Sequence, residues 1–136
     1  MKTALSVGSL AFIIGLALSP AAWSQATPPA PQESNGIPYL SGGVGDGERQ
    51  QLEAVSKDYN LKLILAERSG SYIAQVDVNI VDAKGSTVLE AQSVGPFFLA
   101  KLPPGNYRVT ATYGGKVLRQ RIAVPSRGLQ TREFYW

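Results

Sequence analysis

Two hydrophobic periods divide the chain. Over residues 48–59, Leu52, Val55 and Tyr59 recur at spacings of three and four, which draws one apolar stripe along a short helix. Asp46 stands where an N-cap belongs, Glu48 falls in the first turn, and Asn60 suits a left-handed residue past the end. A helix this short has to dock on something to persist.

From residue 61 the period becomes two. Leu61, Leu63 and Leu65 mark a first strand. Residues 72–83 read as one long strand with Ala74, Val76, Val78 and Ile80 on one face and Gln75, Asp77 and Asn79 on the other. A turn at 82–86 leads to a short strand at 87–91, and another strand is expected at 97–101. Pro103, Pro104 and Gly105 then turn the chain. Strands at 106–113 and 116–124 flank Gly114-Gly115, a strong hairpin signal, and a last short strand is expected within 128–136. Six or seven short strands at this spacing predict an antiparallel β-sandwich preceded by one short helix.

The N-terminal third carries a different pattern. Residues 1–26 read as a secretory signal peptide, with Lys2 as the positive end and an uncharged apolar run over 4–18. Ser24-Gln25-Ala26 supplies a small-x-small cleavage pattern, so cleavage is expected near Ala26 and the destination is periplasmic or secreted. The apolar run is shorter than the ~20 residues a bilayer crossing needs. The mature chain is expected to hold no transmembrane helix. Residues 27–38, with Pro28, Pro29, Pro31 and Pro38, read as an extended linker, leaving 39–136 as one domain. Within it, residues 41–47 hold four glycines, which suggests a hinge or a tight packing loop. A phosphate-binding loop is disfavoured there because Asp46 and Glu48 would repel the anion.

Composition narrows the chemistry. The 136 residues include no Cys and no His, which removes disulfides, thiolate metal sites and the commonest general base. Charged residues are 17%, too few for a highly charged nucleic-acid binder. No Ser lies in a nucleophile elbow, and Asp77 and Asp82 fall on opposite strand faces, so no acid pair forms. No catalytic residue, metal ligand or cofactor is expected. Charge is uneven, however. Residues 27–100 carry 9 acids and 5 bases, whereas 101–136 carry 7 bases against Glu133 alone.

The stretch FLAKLPPGNYRVTATY, residues 98–113, together with VDVNIVDAKGSTV, residues 76–88, resembles the signature of carboxypeptidase-regulatory-like domains. That resemblance spans roughly residues 61–124 and implies a prealbumin-like, broadly immunoglobulin-like sandwich without catalytic residues. It implies an accessory module that contacts protein or carbohydrate. The Gly-rich segment and helix lie outside the pattern and are similar to features of small exported proteobacterial proteins.

Three candidate sites emerge. With Gly114-Gly115 as the loop, Arg108 faces Arg121 and Thr110 faces Arg119 on the polar side of the hairpin. Such an opposition of like charges is unfavourable by a few tenths to ~1 kcal/mol. Arg108, Arg119 and Arg121 are thus either a basic patch for an anionic partner or a face neutralised by Asp77, Glu90 or solvent. Phe97 and Phe98 point to opposite faces of their strand, so one enters the core, while the other lies under the helix or serves as an aromatic platform for a sugar ring. Trp136, in the cluster Phe134-Tyr135-Trp136, either packs as an edge strand or offers an aromatic carboxyl end to a binding groove. The expectation is a non-catalytic envelope module with a protein partner, the alternative being an anionic glycan or other envelope polymer.

Overall fold

The computed structural model describes residues 30–136, together with Gly15; the signal-peptide reading of 1–26 therefore lies outside the described residues. Among the described residues nine strands form two sheets: β1 Gln32–Ser34, β2 Ile37–Gly42, β3 Leu61–Ala66, β4 Val76–Asp82, β5 Thr87–Ser93, β6 Phe97–Ala100, β7 Gly105–Tyr113, β8 Lys116–Val124 and β9 Gln130–Tyr135. One sheet has the order β1-β2-β6-β3-β9 and the other β5-β4-β7-β8. A mainly β sandwich with one short helix is the architecture. Among the described residues, no helix is long and apolar enough to cross a membrane.

Between the sheets lies a core of Leu61, Leu63, Leu65, Val76, Val78, Ile80, Val109, Ile122, Phe98 and Phe134, all at most 1% exposed. The alternation along β4, β7 and β8 delivers these residues inward and leaves their polar neighbours outside.

The strand count exceeds the six or seven expected, partly because the linker reading of 27–38 fails at its C-terminal part. Asn35 (φ 50°) and Gly36 (φ 78°) make a two-residue turn, and Ser34 pairs with Ile37 across it. Asn-Gly is a strong hairpin signal that the surrounding prolines conceal. Pro38 is tolerated because it sits one residue before the first β2–β6 pair, Tyr39↔Ala100.

The expected long strand at 72–83 also divides. Tyr72 bridges Ala66 of the first sheet, whereas Val76–Asp82 belongs to the second. Packed sheets lie about 10 Å apart, so one regular strand cannot serve both. Gln75 makes the switch with φ 61° and donates its N–H to Ser93 O at 2.8 Å. The phase of the alternation shifts there, so Ile73 rather than Ala74 is buried. A further departure from an all-antiparallel sandwich is β9, which runs parallel to β3 from Leu61↔Gln130 to Ala66↔Tyr135.

Helix α1, Asp46–Val55, ends in a single 3-10 turn, Ser56–Asp58. Gly45, not Asp46, occupies the N-cap. Leu52 docks with Tyr59 onto Leu40, Phe97 and Leu99, forming a second apolar cluster on the outer face of the first sheet. Lys62 of β3 pairs with Glu53 of the helix and lies 5.2 Å from the centre of the Phe97 ring. Asn60 is not left-handed. Its side chain bonds the main chain of Leu102 through both N–H and C=O, joining β3 to the turn before β7.

Of the Gly-rich segment, Ser41 and Gly42 end β2, Asp46 and Gly47 open α1, and the packing role falls to Gly43 between them. Gly43 has φ 96°, and a Cβ there would stand 2.2 Å from Cδ2 of Phe97. Its N–H donates to Glu48 Oε1 at 2.9 Å, so the chain's own carboxylate takes up that donor. Gly45 shares the positive φ, at 88°, but nothing lies within 4 Å of its added Cβ. Gly45→Ala is expected to cost about 1–3 kcal/mol through backbone strain alone. Gly43→Ala should cost more, because Phe97 must also move. Thermal melts of the two variants check this, and equal losses would contradict the packing role.

Candidate functional site

The β7–β8 hairpin carries the basic residues. Its register joins Tyr113 to Lys116, Thr110 to Arg119 and Arg108 to Arg121. The two-residue loop makes Tyr113↔Lys116 a hydrogen-bonded pair, and pair types alternate from there. Arg108↔Arg121 is then a non-hydrogen-bonded pair, the type with Cα atoms only about 4.5 Å apart and side chains closer. Both arginines are exposed, as is Arg119.

Neighbouring strands do not neutralise them. Beside Arg108 on β4 stands Val81, and beside Thr110 stands Asn79. Asp77 lies opposite Thr112, and Glu90 is on β5, two strand spacings or about 10 Å from β7. The ion pairs among the described residues are Arg49–Asp46 and Lys62–Glu53, and neither involves this face.

Arg108 and Arg121 instead line an open concavity of about 770 Å³, shared with Lys84 of the β4–β5 turn and Arg132 of β9. Among the described residues Asp82 is the one carboxylate in its lining, and its Oδ1 already accepts from the main-chain N–H groups of Lys84 (2.9 Å) and Ser86 (3.0 Å). Tyr107 closes the inner side and donates its hydroxyl to Pro103 O at 2.5 Å. Arg119 lies in a second concavity of about 820 Å³ with Arg68, Leu118, Gln120, Glu133 and Tyr135. Arg132 was legible only as part of a basic C-terminal stretch. Lys84 and Arg68 carried no signal, since the sheet packing alone brings them here.

The aromatic candidates do not form a platform. Phe98 is fully buried between the sheets, where it stacks on Tyr39 at 5.5 Å. Phe97 is 8% exposed beneath α1 and meets Tyr72 at 5.4 Å. The helix needs Phe97 as its seat, which leaves neither ring for a sugar.

Trp136 is also committed to the fold. Its main-chain N–H donates to Ala66 O at 3.0 Å, and its carbonyl accepts from Arg68 N at 2.8 Å. The indole Nε1–H donates to Lys116 O at 3.1 Å, and the ring packs on Phe134 and Tyr113. The C-terminal aromatic cluster is a strand tied to both sheets, not a free end for an outside groove. No protein-family model and no curated protein matches this chain.

Two outcomes follow from this geometry. Arg121→Thr removes the opposed cation while keeping strand propensity, so it should raise stability by a few tenths to ~1 kcal/mol in urea unfolding. An unchanged or lower midpoint would mean the two guanidinium groups already avoid each other. The second concerns alkaline pH. Burial, and then the Asp82 carboxylate, raise the Tyr107 hydroxyl above its ordinary 10.0, while burial and then Asp58 raise Tyr59. The unfolded chain ionises these groups first, so their contribution is complete below pH 10 and lost as the pH climbs beyond it. The urea midpoint should fall above about pH 10, and Tyr107→Phe should flatten that fall.

Proposed function

We propose that this chain is a non-catalytic, exported β-sandwich module that meets an acidic protein partner in the cell envelope. The observation that carries the reading is the concavity where Lys84, Arg108, Arg121 and Arg132 converge around one carboxylate that is engaged in its own turn. Four cations that line one concavity, with no ion pair to any of them among the described residues, create a positive potential that attracts and orients an anionic surface. The direct Arg108↔Arg121 opposition works against folding, and an acidic partner removes that cost. Export rests on the signal-like residues 1–26, and membership of the carboxypeptidase-regulatory-like group rests on the turn and strand pattern over 76–113.

An anionic glycan is the second reading, favoured by the same charges. The burial of Phe97 and Phe98 weighs against it, because sugar rings are commonly held on exposed aromatic faces.

The test is crosslinking and capture from the native envelope, with the wild-type protein beside an Arg108→Glu/Arg121→Glu variant. One dominant protein, lost on charge reversal and weakened by salt, is the expected result. Equal capture by both proteins would remove the basic face from the function. Capture of no protein, with retention on an acidic polysaccharide, would transfer the site to the glycan reading.

A further inference from the structure

Sheet edges are where extended chains find new partners, and this sandwich has four. Strand β1 is only three residues long. Strand β5 is met by the Ser34 hydroxyl, which donates to Glu90 O and accepts from Glu90 N, both at 3.1 Å. Strand β9 gives its Glu133 carbonyl to Gln120 Nε2 at 2.7 Å. Strand β8 differs from all three. It runs nine residues without proline, glycine or bulge.

The hairpin phase decides which β8 groups are free. Because Tyr113↔Lys116 is hydrogen-bonded, so are Ala111↔Leu118, Val109↔Gln120 and Tyr107↔Ile122. The N–H and C=O groups of Val117, Arg119, Arg121 and Ala123 therefore point away from β7. No other described residue bonds the main chain of these four. Their side chains share the solvent face, where Val117 is 42% exposed. Backbone donors and acceptors thus lie beside two unpaired arginines.

We infer that β8 is a docking edge for an extended acidic peptide, which adds as a fifth strand to the sheet β5-β4-β7-β8. This inference rests on the acidic-partner reading above and gives it a mode of binding. Main-chain hydrogen bonds to the four free residues hold the peptide. Acidic side chains at alternate positions stand beside Arg119 and Arg121 and answer the cation opposition behind them. The intervening side chains point toward the concavity of about 820 Å³ between β8 and β9, lined by Leu118, Gln120, Glu133 and Tyr135. A second copy of β8 is a poor occupant, because an antiparallel pairing centred on Gln120 sets Arg119 against Arg121 twice. Arginine on this edge thus blocks self-association and selects an acidic strand.

The probe is a capped nine-residue peptide in which glutamate alternates with valine or threonine, read by amide hydrogen exchange on the protein. Exchange at Val117, Arg119, Arg121 and Ala123 should slow at least about tenfold on binding, while amides already bonded to β7 stay unchanged. A peptide N-methylated at alternate backbone positions should lose affinity, and so should the Arg119→Glu/Arg121→Glu variant. Unchanged exchange at Val109 and Ile122 shows that this variant remains folded. Equal binding of the N-methylated peptide, or protection without alternation, overturns strand addition and leaves the basic-face reading to its own capture experiment. Failure of the probe to bind a protein that does capture an envelope partner through Arg108 and Arg121 also overturns it.

Discussion

Strand β6 is buried on both of its faces, and the rest of the architecture answers that constraint. Phe97, Phe98, Leu99 and Ala100 are all buried, in the middle of a five-stranded sheet. Phe98 and Ala100 face the second sheet, which disposes of one side. Phe97 and Leu99 face the other way, and a two-layer sandwich has nothing there to cover them. The helix is that third layer. Its single buried residue, Leu52, would not hold ten residues in place alone, so Tyr59 and the Lys62–Glu53 pair add to the attachment. Gly43 follows from the same demand, since only a residue without Cβ lets the chain pass over the Phe97 ring there.

Legibility in the sequence tracked how locally each feature is determined. The β7–β8 register was readable residue by residue because a two-residue loop fixes the phase of both strands. The helix was readable from its apolar spacing, although its cap lies one residue earlier than expected and its α-helical part ends at Val55, four residues before Tyr59. Alternation did not reveal the sheet change at Gln75, because the same period of two runs on either side of it. The Asn35-Gly36 hairpin was hidden by a proline-rich composition that invites an extended reading. The parallel placement of β9 against β3 depends on sheet packing and has no local signature.

The candidate site divides in the same way. Arg108, Arg119 and Arg121 belong to one hairpin and could be placed opposite and diagonal to one another from spacing alone. Lys84 and Arg132 come from a distant turn and a distant strand, and only the assembled sandwich brings them to the same concavity. Asp77 and Glu90, the carboxylates that alternation offers for neutralising the hairpin arginines, lie too far along or across the sheet. A face that is polar by alternation therefore became cationic by topology.

The pairing of β3 with β9 also bears on the order in which the molecule assembles. It joins residue 61 to residue 130, whereas the β7–β8 and β4–β5 ladders close over short loops. Hairpins of that kind form in microseconds, but contacts across such a sequence separation must first overcome a larger loop-closure entropy. Until Phe134 arrives, the cavity it fills between the sheets stays open and β3 presents an unpaired apolar flank. The segment that carries Phe134 is thus the one that seals the core, and a chain in which it has not yet paired with β3 remains vulnerable to proteases and to aggregation.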